Sequence, residues 1–317
     1  MPELRSVGND KQRRPCPICQ QAADDDIVLR DYVSREHFML ACCRACGHGF
    51  IAEPPPVGQI WRYYQTPAGA KMHGRANPLA RRLQRLLLLR ELRLLGRLSA
   101  GDLVVDIGSG DGAAAAVLAE QAASVLALDG YPASHWQHAK IAYRQVDFNA
   151  VASRPDGLGE LPGSGRRLAV MRHVLEHLHQ PEQFLRNLAR QRFDTVLLVV
   201  PNFHAWLRPL FGQSWYYWDP PRHLHQFTET SLRAAASHAG FDVDYLGRYG
   251  IDEIVTSLYR WLEMRAQDGK LAPRWLRQLC APKGALAGLA SAAAYLPGNT
   301  VIMARLRRRA NGDDHAR

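Results

Sequence analysis

The chain has 317 residues, a formal net charge of +10, 47% hydrophobic residues and six cysteines. That length holds one large domain plus a small one, and the apolar fraction is that of an ordinary globular protein. The N-terminus is polar, with no apolar run before its first cysteines, which argues against a signal peptide. The longest apolar stretch, Gly284 to Pro297, is short and mostly Ala and Gly, which argues against a membrane span. A cytoplasmic protein is expected. Of the 40 basic residues only five are lysine, and arginine is scattered over most segments. A basic surface suits nucleic acid, anionic membrane or phosphorylated substrates, but this scatter does not by itself indicate RNA.

In chain order, residues 1–15 are polar and basic without periodicity and read as a disordered tail. Cys16-Pro-Ile-Cys19 and Cys43-Arg-Ala-Cys46-Gly47 follow, with 23 residues between the knuckles. That is the spacing of a four-cysteine zinc ribbon over 16–53, with Cys16, Cys19, Cys43 and Cys46 as ligands. Four sulfurs leave no open position on the metal, so Zn2+ would be structural. Ile27 to Tyr32 and His37 to Ala41 read as ribbon strands. Cys42 misses the spacing and His48 is expected to be a surface or packing residue. A redox dithiol is the rival reading. The three prolines 54–56 open a linker over 54–78. Leu79 to Leu98 is a Leu/Arg-rich helix expected to pack on a sheet; an interfacial membrane helix is the alternative.

Leu103-Val-Val-Asp-Ile-Gly-Ser-Gly-Asp-Gly112 is an apolar strand ending in three glycines at alternate positions, and Ala113 to Gln121 is a run of helix formers. A strand, tight turn and helix in this order open a Rossmann-like α/β unit. The turn has no Cβ at 108, 110 or 112, so a ligand can lie against its backbone and the helix N-terminus. Gly108, Gly110 and Ala113 fit a dinucleotide fingerprint. The fit is better to Asp106, Gly108, Gly110 and Gly112, where an acid before the first glycine can hold a cationic ammonium. Asp129 ends the next strand, about twenty residues on, where a carboxylate can take both ribose hydroxyls.

These residues resemble those of the class I methyltransferases that use S-adenosylmethionine, over roughly residues 80 to 250 and the final strand. The resemblance implies a seven-stranded Rossmann-like sheet in a domain spanning 79–308, with acceptor-side and helical insertions at 201–228 and 251–298. It implies that Asp106, Gly108, Gly110, Gly112 and Asp129 bind the cofactor and that Asp147 reads the adenine amino group. Val174-Leu-Glu-His177, followed by Pro181, resembles the family segment flanking the sulfonium. It places Arg172 and His173 by the cofactor and makes His177 a candidate catalytic residue. The order C-x-x-C, C-x-x-C-G, P-x-P, Y-Y over the first 65 residues resembles methyltransferases with an N-terminal cysteine ribbon, including sugar-modifying ones.

Strand five, Phe193 to Val200, leads into an aromatic insertion with Trp206, Phe211, Trp215, Tyr216, Tyr217 and Trp218, closed by Arg222-His223-Leu-His225. Imidazole titrates near neutrality, so His223 or His225 can act as a base toward an acceptor hydroxyl. The rival reading makes both structural, at the start of a helix over 229–239 with Thr228 and Ser231 as caps. Trp261 and Trp275 are expected to cover the sheet. Asn299 to Arg305 resembles the last strand of the class I sheet, and residues 309–317 read as a disordered tail. The expected function is methyl transfer to oxygen or carbon of a small-molecule acceptor, a sugar or nucleotide-linked sugar being favoured. RNA methylation, with ribbon and arginines gripping nucleic acid, and a non-catalytic binding protein are the alternatives. No oligomeric state is implied.

Overall fold

The computed structural model describes residues 13–64, 78–121, 124–131, 140–154, 157–250, 253–281 and 298–310. Residues 1–12 and 311–317 of the expected tails, 65–77 of the linker, and 251–252 and 282–297 of the 251–298 insertion lie outside these.

The strands are β1 (Arg13–Pro15), β2 (Ala22–Arg30), β3 (His37–Cys43), β4 (Gly49–Ile51), β5 (Leu103–Ile107), β6 (Ser124–Asp129), β7 (Ile141–Gln145), β8 (Arg167–Arg172), β9 (Phe193–Pro201), β10 (His225–Gln226), β11 (Phe241–Tyr249) and β12 (Val301–Arg308). The α-helices are α1 (Pro78–Leu92), α2 (Ala113–Ala119), α3 (Phe148–Ala152), α4 (Pro181–Arg190), α5 (Arg208–Phe211), α6 (Glu229–His238), α7 (Glu253–Gln267) and α8 (Arg274–Cys280). No described helix is long and apolar enough to cross a membrane.

Two sheets form, and the chain divides into two compact units. Unit 2, residues 85–200, 232–247 and 303–317, carries the seven-stranded sheet, ordered β11-β12-β9-β8-β5-β6-β7. Its centre is parallel: β5 pairs with β6 and β8, β6 with β7, and β8 with β9. All five residues of β5 are buried, which is why that strand reads as a continuous apolar run rather than an alternating one. Pro181 starts α4 at a position where its missing N–H costs nothing, and Phe184, Leu185 and Leu188 turn inward from it.

Unit 1, residues 1–84, 201–231 and 248–302, carries the five-stranded antiparallel sheet β1-β2-β3-β4-β10. Its last strand comes from the aromatic insertion: His225 faces Phe50 and Gln226 faces Gly49. The ribbon and the insertion therefore share one unit, where the sequence assigns them to separate domains. Within the stretch assigned to the linker, residues 57–63 form a 3-10 helix that packs Ile60 and Tyr63 against Leu224 and Phe38.

Described structure reaches into both expected tails, 1–15 and 309–317. Arg13 to Pro15 pair with Ala22 to Asp24 as β1. At the other end β12 runs to Arg308, and Arg309 Nε lies 2.8 Å from Asp242. Trp275 is 63% exposed rather than buried against a sheet.

Candidate functional site

The glycine turn of unit 2 has the geometry its sequence implies. Gly108, Gly110 and Gly112 take φ of +73°, +53° and +75°. The N–H groups of Gly108 and Ser109 both donate to Leu128 O, at 2.8 and 3.0 Å, which locks the turn onto the end of β6. A Cβ on Gly108 would meet Val174 Cγ2 at 2.3 Å, whereas one on Gly110 would meet no heavy atom within 4 Å. The first glycine is thus required by packing and the second opens onto space.

Asp106 lies beneath that turn, 3% exposed, and its Oδ2 has no hydrogen-bond partner. Burial pushes its carboxyl up to about 7, against the opposing pull of the Arg172 guanidinium and the Ala115 N–H. Arg172 Nε is held by Glu91 Oε2 at 2.9 Å. A buried carboxylate oxygen without a donor is costly unless a cation or donor meets it. The ammonium of an amino-acid moiety is such a group, so the residues present fit S-adenosylmethionine. A pyrophosphate would be repelled here.

Asp129 clamps the turn from β6: Oδ2 accepts from Gly110 N at 2.8 Å and Oδ1 from Tyr131 N at 3.0 Å. A carboxylate oxygen has two lone pairs, so each can still accept a ribose hydroxyl. Asp147 follows β7 and caps α3, its Oδ1 accepting from Asn149 N and Ala150 N. This capping role is an additional demand on the residue that the sequence reading did not assign. At the end of β8, His173 sits at φ +55°, with Nδ1 3.3 Å from Glu176 Oε1. Glu176 and His177 form the short 3-10 turn that follows, with Glu176 fully buried and His177 half-buried.

In unit 1 the four knuckle cysteines converge, with their sulfurs all within 4.8 Å of one another. Cys16 and Cys46 are 3.7 Å apart, Cys19 and Cys43 3.4 Å. Thiolates around one zinc at about 2.3 Å sit about 3.8 Å apart in a tetrahedron, so the set fits the metal. Cys42 stands outside it. Burial pushes the Cys16 thiol up to about 11 and raises Cys46 as well. Cys43 is lowered instead, its burial outweighed by hydrogen bonds within the knuckles, and a bound cation would hold the whole set as thiolate.

The insertion histidines are both buried in this unit. His223 Nδ1 lies 2.9 Å from Tyr217 O. A carbonyl only accepts, so the neutral ring carries its proton on Nδ1 and Nε2 is the basic nitrogen. His225 Nδ1 bonds His48 Nε2 at 3.0 Å, and His48 Nδ1 lies 3.3 Å from Ser231 Oγ. Thr228 and Ser231 cap α6 reciprocally, Ser231 N donating to Thr228 Oγ1 and Thr228 N to Ser231 Oγ. His48 is thus a buried link between ribbon and cap. Burial, reinforced by His225, holds it well below the usual imidazole value.

Sequence reasoning missed the ionic cluster that holds the insertion. Arg222 donates from Nη2 to Asp31 Oδ1 at 2.8 Å and from Nε to Asp219 Oδ2 at 2.9 Å; Arg260 reaches Asp219 Oδ1 at 2.6 Å. The one available signal was the three-residue spacing of Asp219 and Arg222. Elsewhere arginine is consumed in ion pairs, such as Arg13 and Arg44 with Asp24 and Arg305 and Arg307 with Asp244. Part of the high arginine content is structural.

A family model described as a methyltransferase domain matches residues 77–246. That is more than half of the chain, and the chain belongs to this family. It is a class I, S-adenosylmethionine-dependent methyltransferase. No curated protein matches it. Among solved structures it is similar to a 1,6-didemethyltoxoflavin N1-methyltransferase of Burkholderia thailandensis, at 17% identity and TM-score 0.45, over 84% of this chain and 98% of the other. It is also similar to the magnesium protoporphyrin IX methyltransferase of Synechocystis, at 14% identity and TM-score 0.46, over 80% and 100% of the two chains. A cyclopropane-fatty-acyl-phospholipid synthase-like protein of Lactobacillus casei gives 14% identity and TM-score 0.48, over 72% and 92%. The assignment rests on the domain match and the sheet order, not on these three.

Proposed function

We propose that this enzyme methylates an oxygen or carbon of a small-molecule acceptor. A sugar or nucleotide-linked sugar is the class that the resemblance of its ribbon and fold suggests. The observation that carries the cofactor site is the buried Asp106 carboxylate, with one oxygen lacking a donor, beneath a turn that is open at Gly110. In this reading Asp106 holds the cofactor's ammonium, and Gly108, Gly110 and Gly112 admit its amino-acid arm. Asp129 takes the ribose hydroxyls, Asp147 the adenine amino group, and Arg172 and His173 shape the wall at the end of β8. S-adenosylmethionine supplies a methyl group on an already activated sulfonium. The chain is left to position the acceptor and, for a hydroxyl, to remove its proton. His223, His225 and His177 are the candidate bases; the Tyr217 carbonyl supports His223 by making Nε2 its basic nitrogen. Cys16, Cys19, Cys43 and Cys46 would hold a structural zinc.

Calorimetric titration with S-adenosylhomocysteine, with NADH in parallel, tests the cofactor. Binding of the homocysteine product, weakened by Asp129→Ala, supports the reading; binding of NADH alone overturns it. For the base, alanine variants at 223, 225 and 177 are compared for product binding and for turnover in an acceptor screen. A base variant keeps the first and loses the second.

A further inference from the structure

Unit 1 contains a cleft of about 440 Å³ with no role in the reading above. The size is that of a small-molecule site. One wall is made by Val28 and Arg30 of β2 and His37 of β3, the other by Trp261, Met264 and Arg265 of α7, with Lys270 just beyond. The first wall is pinned: Gln213 Nε2 donates to Val28 O at 2.6 Å, and Arg30 N donates to Gln213 Oε1 at 3.3 Å.

The charges are unbalanced. Asp268, the acid of the cleft, is paired with Arg30 at 2.9 Å and also feels the charges of Lys270 and Arg35, so one carboxylate faces several cations. Arg265 and Lys270 make no ion pair among the described residues. Arg265 is nevertheless held in place. Its guanidinium carbon stacks 4.7 Å from the centroid of Trp261, and its Nε donates to Leu271 O at 3.1 Å. A guanidinium fixed this way offers its remaining N–H edge to a ligand with little further loss of rotamer freedom. Beside it the indole of Trp261, the Met264 thioether and Val28 offer flat, apolar contact.

We propose that this cleft binds a small anion with a planar or apolar body, its phosphate or carboxylate on Arg265 and Lys270 and its body against Trp261 and Met264. The proposal does not depend on the methyl-transfer reading. It is tested on the full chain carrying ¹³C-methyl methionine, with the Met264 signal assigned by Met264→Leu. The probes are 1-naphthyl phosphate, 1-naphthoate and neutral 1-naphthol. At least one anion should shift the Met264 methyl saturably and more tightly than naphthol, and the tighter of the two anions identifies the head group. Raising salt to about 0.5 M should weaken binding. The Arg265→Gln/Lys270→Gln double variant should weaken it about tenfold or more, while S-adenosylhomocysteine titrates as before. Lys270→Gln alone, a change at an exposed position, should weaken it in the same direction by less. An unmoved Met264 signal, equal binding of naphthol, or unchanged affinity in the double variant overturns the proposal.

Discussion

The imidazole of His225 is hydrogen-bonded to that of His48, Nδ1 to Nε2 at 3.0 Å, across 177 residues of chain. Beside it Thr228 Oγ1 donates to Cys46 O at 2.8 Å. The segment bearing the candidate bases is therefore moored on the second cysteine knuckle. Removing the metal should be felt at the histidines as well as in the ribbon. Stoichiometric zinc is expected on the purified chain. Chelation should lower Tm on the order of 10 °C and displace the imidazole NMR signals of His223 and His225. A chelator that moves neither would show that the ribbon does not need metal.

Asp106 should make cofactor affinity depend on pH. Its folded carboxyl is raised to about 7 from an ordinary 3.8, so the ligand-free fold binds the extra proton between those values. Stability attributable to this group is full below about pH 4 and falls as pH rises toward 7. A cationic ligand needs the ionised form, so S-adenosylhomocysteine affinity should rise between pH 6 and 8 with release of a proton. Asp106→Asn should bind at least about tenfold more weakly with a flat profile. Calorimetry in buffers of different ionisation enthalpy reads both quantities.

Two neighbouring glycines should fail differently. Gly108→Ala combines a left-handed backbone with a Cβ driven into Val174, costing about 2–4 kcal/mol of folding stability. Gly110→Ala has the backbone term alone, about 1 kcal/mol, but puts a methyl group into the open space. It should lose S-adenosylhomocysteine binding while melting close to the parent chain. Denaturant unfolding beside ligand titration separates the two.

The Asp219 cluster should be indispensable despite lying in a loop. Burial alone would raise Asp219, but the guanidiniums of Arg222 and Arg260 hold it far below the usual carboxylate range. Its contribution is present above the ordinary carboxylate value and is lost only as pH falls through the depressed one. Arg222→Met, which leaves Asp31 and Asp219 buried without that cation, should cost about 3–5 kcal/mol in chemical denaturation. A cost under about 1 kcal/mol would mean the pair is solvated in solution.

The strand, glycine turn and helix from Leu103 to Ala119 could be read because every determinant is local: an apolar run, three glycines and helix formers. The cysteine knuckles were legible for the same reason, since the x-x spacing selects Cys43 over Cys42. The five-stranded sheet was not. Its last member, His225–Gln226, is two residues long and has no periodicity, and pairs with Phe50 and Gly49 only through the fold. His48 is a packing residue, as its sequence context allows, but nothing nearby in sequence announces its partners His225 and Ser231. Asp31, Asp219, Arg222 and Arg260 likewise lie in three separate stretches, and charge scattered in this way resembles a solvated surface until the chain brings it together. Arg13–Pro15 reads as tail because polar, basic residues on an edge strand carry no apolar alternation.

The pairing of β4 with β10 also sets an order of events during synthesis. The first four strands of the ribbon sheet leave the ribosome early. The outer edge of Gly49–Ile51 then waits for a partner that emerges 177 residues after His48. At about 5–20 residues per second that wait lasts on the order of 10 to 30 s. Throughout it a short strand with Phe50 and Ile51 presents unpaired N–H and C=O groups. The nascent ribbon is therefore most open to wrong pairing, and to chaperones, before residue 225 is made.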